Sequence, residues 1–167
     1  MHLLSLRAPL LALAAALLAL PAAAQRPAAP QAPAGAIAII VHAAVPVENL
    51  SFGELRRYFL GDRQYWPDRS RVTLLVRAPV AAERSVVLSR IYQMDEARFR
   101  RYWIAKMFRA EVAADPKLVY SSEGAQNLVA MIPGAITFMP AAARVGPGVK
   151  VLRIDGKLPA DAGYPLQ

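Results

Sequence analysis

The chain contains no cysteine among its 167 residues. This absence excludes disulfide bonds, thiolate metal sites, cysteine nucleophiles and a lipid-modified cysteine anchor. Histidine is almost as scarce, because only His2 and His42 occur. Since His2 lies in a segment that we expect to be removed, the sequence offers neither a histidine pair for a metal ion nor a serine–histidine relay.

The sequence also lacks the short patterns that accompany common catalytic sites. No Gly-x-Ser-x-Gly, His-Glu-x-x-His or phosphate-loop pattern occurs. The 12 aspartate and glutamate residues lie mostly in predicted caps and loops. We therefore expect a protein that performs no catalysis and carries neither a metal nor a cofactor.

Basic residues outnumber acidic ones, and the chain carries a formal net charge of +8. Arg7 is the only charged residue in the first 24, so the remainder carries 8 minus 1, or +7. A basic surface favours anionic partners, which include anionic solutes, lipid headgroups and nucleic acid.

The N-terminus has the pattern of a secretory signal peptide over residues 1–24. His2 and Arg7 give a weakly basic start, and the small residues 22–24 provide a cleavage site before Gln25. The apolar run 8–20 is shorter than the roughly 20 residues that a spanning helix needs, although an uncleaved anchor stays open as the alternative. Three prolines then mark 25–35 as a semi-rigid linker. These features predict a periplasmic protein whose domain occupies residues 36–167.

The stretch from Leu50 to Val72 carries the clearest local signals. Ser51 and Glu54 have the spacing of a capping box at the start of a helix. One apolar face of that helix follows, at Leu55, Tyr58 and Phe59. Gly61 stands where a left-handed residue ends a helix. The segment therefore predicts a short helix, a sharp stop and a turn at Trp66-Pro67-Asp68 before the next strand.

Predicted strands and helices alternate along the rest of the chain. The predicted strands are Ala36–Ala43, Arg71–Val76, Ala135–Met139 and Val149–Ile154. After the Ser51 helix, the predicted helices are Ala82–Gln93, one capped by Asp95, and one from Ser121 or Ser122 to about Met131. This order predicts an α/β fold with a small mixed or mostly parallel sheet flanked by helices.

The helix capped by Asp95 combines aromatic and basic residues. Its apolar stripe is predicted to comprise Phe99, Tyr102, Trp103, Met107 and Phe108. Much of the remaining surface is basic, at Arg98, Arg100, Arg101, Lys106 and Arg109. The spacing favours a solvated basic face over an aromatic core and disfavours a nucleic-acid site. Contact of that face with a membrane surface or a partner protein is left open.

The stretch that begins at Leu50 resembles a "Leu-Ser-x-x-Glu-Leu-x-x-Ile-Phe-Leu-Gly-x-x-x-x-Trp" segment of phosphate-type periplasmic binding proteins, the solute receptors of phosphate ABC importers. Further segments resemble that family in the same order. They are Tyr102-Trp103 with Phe108, Ile132 to Phe138, and Lys150 to Gly156 with the tail Tyr164-Pro165-Leu166. The resemblance covers roughly Ile37 to Leu166 and implies a single lobe of the type II periplasmic-binding-protein fold.

Two departures from the family are visible in the sequence. A full receptor has two lobes, and this chain supplies about one. The family's phosphate loop resembles "Arg-x-Asp-Gly-Ser-Gly-Thr", where glycines let backbone amides approach the anion. The matching stretch here runs from Arg77 to Glu83 and reads Arg-Ala-Pro-Val-Ala-Ala-Glu. Arg77 is retained, the glycines are absent, and Glu83 adds a negative charge.

Four residues are the candidate ligand contacts: Arg77, Arg84, Ser85 and Ser51. The first three lie at a strand-to-helix junction, where ligands collect in open α/β sheets. Arg77 would supply a charged fork and Ser85 a hydroxyl donor. The alternative for the junction is a solvated turn with an Arg84–Glu83 surface pair, and the alternative for Ser51 is helix capping.

Together these features predict an exported solute-binding-type protein that binds a small phosphate-like anion without catalysis. A membrane transporter or sensor protein is the expected protein partner, and no nucleic acid is expected. The second hypothesis is a single-lobe interaction module that has lost solute binding and docks on a membrane sensor, transporter or secretion component.

Overall fold

The computed structural model describes residues 32–167. The predicted signal peptide at 1–24 and most of the predicted linker at 25–35 lie outside the described residues. Between residues 32 and 167, no helix combines the length and apolar character needed to cross a membrane.

A mixed sheet forms the centre of the fold. The strands are β1 (Ile37–His42), β2 (Asn49–Leu50), β3 (Thr73–Arg77), β4 (Lys117–Val119), β5 (Ala135–Pro140), β6 (Val149–Val151) and β7 (Arg153–Ile154). Five strands form one sheet in the order β4-β3-β5-β1-β6, and β2 pairs with β7 in a separate small sheet. β3 runs parallel to β4 and β5, whereas β1 is antiparallel to β5 and β6. The parallel half carries the predicted site.

Helices cover both faces of this sheet, which confirms the predicted α/β class. They are α1 (Phe52–Phe59), α2 (Ala82–Val87), α3 (Glu96–Phe108) and α4 (Ser122–Met131), and a π-helical segment (Leu88–Tyr92) continues α2. The first three pack on one face, where strand residues such as Val76 and Phe138 are buried. α4 packs on the other face, against Leu75 and Met139. Because successive side chains along a strand point to opposite faces of the sheet, the same strands contribute residues to two separate cores.

The predicted features of α1 are present. Ser51 and Glu54 form the reciprocal capping box, and Leu55, Tyr58 and Phe59 are buried. Gly61 is left-handed at φ +71°, and a Cβ there would lie 2.9 Å from Trp103 Cη2. The chain therefore ends this helix at a position where a side chain would be both strained and crowded.

The Trp66 turn connects two distant parts of the fold. The indole of Trp66 is 2 % exposed, and its Nε1 donates to the Gly134 carbonyl at 2.9 Å. Its ring centroid lies 4.5 Å from that of Tyr58. Trp66 thus anchors the turn before β3 to the start of β5, while the neighbouring Tyr65 is exposed.

The structure corrects the predicted ends of the sheet. The predicted strand 149–154 is two strands, because residues 149–151 pair with β1 whereas residues 153–154 pair with β2. β4 was not predicted, since it has three residues and two of them are exposed. β4 is the pairing partner of β3 on its outer edge, which the predicted strands leave open.

The apolar stripe predicted for α3 is only partly correct. Phe99 and Trp103 are buried, but Phe108 is 93 % exposed and Met107 is also exposed. Lys106, assigned to the solvated face, is buried and pairs with Asp62. The helical repeat explains the difference, because Phe108 follows Phe99 by nine residues and so lies on the opposite side of the helix.

Candidate functional site

The candidate site lies where two parallel strands end side by side. Arg77 closes β3 opposite Val119, the last residue of β4. After β3 the chain enters α2 on one face of the sheet, and after β4 it enters α4 on the other face. Neighbouring parallel strands whose helices diverge leave a crevice at their carboxyl ends, which is the usual ligand position in open α/β sheets. Sequence reasoning found the β3 side and missed the β4 side.

Arg77 is buried at the point where these two strands end. Its Nε donates to Glu83 Oε1 at 2.8 Å, and the two side chains are 7 % and 8 % exposed. Nη1 of Arg77 has no hydrogen-bond partner within the described residues. The guanidinium group therefore keeps donor capacity beyond its pair with Glu83.

The buried Arg84 holds the junction between β3 and α2 in place through hydrogen bonds. Its Nε and Nη2 donate to the two carboxylate oxygens of Glu96 at 2.9 and 2.8 Å, and Nη1 donates to the Arg77 carbonyl. The guanidinium carbon lies 4.8 Å from the centroid of the Phe99 ring. Arg84 therefore connects α2, α3 and β3. The predicted solvated turn with an Arg84–Glu83 surface pair is wrong, because both arginines are buried and each pairs with a different carboxylate.

In the described part of the chain, Ser85 and Ser51 form no hydrogen bond with Arg77 or Arg84 and are engaged within their own helices. Ser85 is exposed and donates to the Ala82 carbonyl within its own helix, at 2.7 Å. Ser51 is occupied by the capping box with Glu54, and the adjacent Phe52 amide donates to the Asp155 carboxylate. Within residues 32–167, no hydrogen bond or ion pair joins Ser51 to Arg77, Arg84 or Ser85. The structure thus groups the first three predicted contacts and leaves Ser51 at another helix start.

The start of α2 differs from the other helix starts in the described chain. Ser51, Asp95 and Ser121 each cap their helix with a side-chain oxygen, whereas Ala81 gives no side-chain hydrogen bond. The Arg84 amide, which a cap side chain would bind, donates to the Ala81 carbonyl at 3.1 Å. The amides of Ala82 and Glu83 are the first N–H groups of α2 and have no intrahelical acceptor. These N–H groups follow the end of β3 by a few residues and add partial positive charge at the strand-to-helix junction.

The hydrogen bonds from Arg84 lower the pKa of the Glu96 carboxyl below its ordinary value of 4.5, against an opposing effect of burial. A carboxyl whose pKa is depressed by folding contributes stability above its unfolded pKa and loses it as the pH falls through the folded value. We expect Glu96→Gln to lose less stability than the wild type between pH 5 and pH 3, by about 1 kcal/mol or less because Glu96 is partly exposed. Urea unfolding at a series of pH values tests this, and parallel curves for the two proteins would contradict it.

Within the described residues, no cluster of three or more His, Asp or Glu side chains is arranged to hold a metal ion. The charged groups at the junction are two arginines and two glutamates, which balance each other. The distinctive donor of the junction is the unpaired Nη1 of Arg77, which is shielded from solvent, so an anion reaches it only by displacing the groups that cover it.

No protein-family model and no curated protein matches the chain. Solved structures do match its fold. An ABC-type phosphate transport receptor from Vibrio cholerae superposes with a TM-score of 0.59 at 21% identity, covering 74% of this chain and 48% of the receptor. A putative phosphate ABC transporter substrate-binding protein with bound phosphate, from Clostridium perfringens, gives 0.57 at 17% identity over 72% of this chain and 45% of that protein.

PstS from Borrelia burgdorferi gives a TM-score of 0.57 at 14% identity, covering 74% of this chain and 48% of PstS. The chain thus spans about half the length of these three proteins. At such identities the similarity is one of fold. The described chain therefore has the fold of phosphate-type periplasmic binding proteins, at the length of a single lobe, as its sequence predicted.

Proposed function

We propose that this protein is an exported, non-catalytic solute-binding-type protein that captures a small phosphate-like anion at the carboxyl ends of β3 and β4. The observation that carries the proposal is the buried Arg77 at the end of β3, opposite Val119 of β4, whose Nη1 has no partner in the described chain. The shared fold supports it, since two of the three similar structures are described as a phosphate transport receptor and a putative phosphate substrate-binding protein, the second with bound phosphate.

In this proposal Arg77 supplies the charged donor and the uncapped first turn of α2 supplies backbone N–H groups. Arg84 is a positioning residue, because its bonds to Glu96 and to the Arg77 carbonyl hold the junction rigid. Ser85 is exposed beside it and contributes a hydroxyl after rotating away from the Ala82 carbonyl. Ser51 is retained as a proposed contact at the start of α1. An anion at this place competes with Glu83 for Arg77, so we expect weak to moderate affinity.

Export rests on the signal-peptide pattern of residues 1–24, and a membrane transporter or sensor is the proposed recipient of the bound anion. Export has a direct test. Expression of the full chain with its N-terminus sequenced from the periplasmic fraction should give Gln25 as the first residue. Retention of the intact chain in the cytoplasm would contradict export.

Anion binding is tested by calorimetry and thermal melting with inorganic phosphate and sulfate. A ligand that binds only the folded protein stabilises it, by about 2.7 kcal/mol at a concentration one hundred times its Kd. We expect phosphate to raise the melting temperature of the wild type and to have no effect on the double variant Arg77→Met/Glu83→Gln. That variant removes both charges of a buried pair, so neither is left unpaired.

The control is Arg57→Gln, which removes an exposed arginine from α1, away from the crevice. It should respond to phosphate as the wild type does. No response of the wild type to phosphate or sulfate would contradict the proposal and would favour the interaction module instead.

A further inference from the structure

The outer side of α3 exposes large apolar side chains among arginines. Phe108 is 93 % exposed and Ile104 is 62 % exposed. At 100° per residue, these two and Arg101 fall within about 60° of one another, on the side opposite the buried Phe99 and Trp103. They form a single row along the outermost line of the helix, which we call the outer row of α3.

Positive charge flanks the outer row on both sides. Arg98 lies on one flank and Arg100 on the other, and both are exposed. Within residues 32–167, Arg98, Arg100 and Arg101 form no ion pair with a carboxylate. Arg109, by contrast, is paired with Glu111. Three arginines with no ion-pair partner around protruding apolar groups create a surface that complements a negatively charged partner.

We propose that the outer row of α3 docks the protein on an anionic lipid surface. Phe108 and Ile104 enter the boundary between headgroups and acyl chains, and Arg98, Arg100 and Arg101 contact the lipid phosphates. This combination of aromatic or aliphatic anchors and flanking arginines is the pattern of helices that lie in a membrane interface. The proposal is independent of the anion site, which lies at the strand ends.

The shape of the surface favours a membrane over a protein segment. The 13 residues of α3 form a rod about 20 Å long. A flat surface meets its outer row along the whole length. An apolar groove of about 360 Å³ does lie beside the helix, and its lining includes Arg100, Ile104 and Met107 of α3 as well as Leu118. That groove is on one flank, so a peptide bound in it would leave Phe108 uncovered.

A second copy of the chain is a poor fit for the same face. Two outer rows brought together would place their arginines against each other, and like charges in contact are destabilising. Anionic headgroups supply the missing negative charge without this repulsion. The charge of the face therefore selects lipid over self-association.

Sedimentation with lipid vesicles tests the proposal. The protein should begin at Gln25, so that the apolar run at 8–20 cannot bind lipid itself; all described core residues are retained. We expect binding to vesicles of mixed phosphatidylcholine and phosphatidylglycerol, weakened by added salt, and none to phosphatidylcholine alone. Arg100→Gln/Arg101→Gln should weaken binding about 25-fold, since each arginine near such a surface contributes a factor of about five.

Matched controls separate a specific face from general charge. Arg57→Gln/Arg153→Gln removes the same charge from other exposed positions and should change binding little. Phe108→Ser should weaken binding without lowering the melting temperature, whereas Tyr120→Ser, at a residue that is 73 % exposed, should not weaken it. The proposal is overturned if anionic vesicles bind no protein or if both arginine pairs have equal effects. Self-association that Phe108→Ser abolishes, in the absence of vesicle binding, would also overturn it in favour of a second copy.

Discussion

Gly134→Ala is expected to lower the free energy of unfolding by roughly 4 kcal/mol, a loss at the upper end for a single substitution. Gly134 has φ +79°, and a Cβ built there would lie 2.2 Å from the carbonyl oxygen of Arg71. That oxygen belongs to the backbone, so no side-chain rotation relieves the overlap. The substitution must therefore move the chain before β3 away from the start of β5.

Such a movement would break several contacts at once. The Gly134 carbonyl accepts hydrogen bonds from Trp66 Nε1 at 2.9 Å and from the Thr73 amide at 3.1 Å. Both donors come from the segment that the new methyl group would push away. The Trp66 indole is buried, so loss of its partner also leaves a buried donor unsatisfied.

Gly156→Ala separates backbone strain from this overlap. Gly156 has φ +77°, almost the same as Gly134, but a Cβ there meets no atom within 4 Å. We expect it to cost only the left-handed conformation, about 1 kcal/mol. Urea unfolding of the two variants measures the difference. Equal losses would show that the close approach to Arg71 is relieved by relaxation.

The elements of this fold that depend on local sequence could be predicted. The capping box at Ser51 and the left-handed stop at Gly61 depend on neighbouring residues, and both occur as expected. The same holds for the helix start at Asp95, whose carboxylate accepts from the Arg98 amide. Where a structure is set by contacts between distant residues, the sequence alone was insufficient. β4 is held by its pairing with β3 and has little apolar pattern of its own.

The candidate site also combines features that local sequence predicts with features that depend on contacts between distant residues. The sequence located Arg77 and Arg84 at a strand-to-helix junction, which is correct. The alternative for this junction pairs Glu83 with Arg84, its neighbour in the chain, but adjacent helical residues point about 100° apart. Glu96, the actual partner of Arg84, comes from the next helix. Only the packing of α3 against α2 determines that pairing, so no local spacing could have predicted it.

The α3 helix adds a case in which the composition was read correctly and the orientation was not. Phe99 and Trp103 are buried as expected, but Lys106 is buried beside Tyr102 and Asp62 while Phe108 is exposed. A buried lysine is tolerated where carboxylates and an aromatic ring replace its hydration. Phe108 lies on the outer row of α3 because it is two and a half helical turns from the buried Phe99.

The pair Arg77–Glu83 is expected to show strong energetic coupling. Glu83→Gln leaves the buried guanidinium of Arg77 without a counter-charge. Arg77→Met leaves the buried carboxylate of Glu83 without a counter-charge. Removing one partner of a buried pair costs about 3 kcal/mol or more, whereas removing both leaves no unpaired charge. We therefore expect Arg77→Met/Glu83→Gln to cost no more than either single variant, which corresponds to a coupling energy of about 3 kcal/mol. Additive losses in urea unfolding would contradict a buried, mutually dependent pair.

Phosphate connects this coupling to the proposed anion site. In the Glu83→Gln variant, Arg77 keeps its charge and loses its competitor, so an added anion can take the place of the missing carboxylate. We expect phosphate to restore part of the stability lost in Glu83→Gln and to raise its melting temperature more than that of the wild type. Arg77→Met should show no such recovery, because the donor is gone. If phosphate stabilises both single variants equally, the anion binds elsewhere, and Arg77 and Glu83 serve only to hold β3 and α2 together.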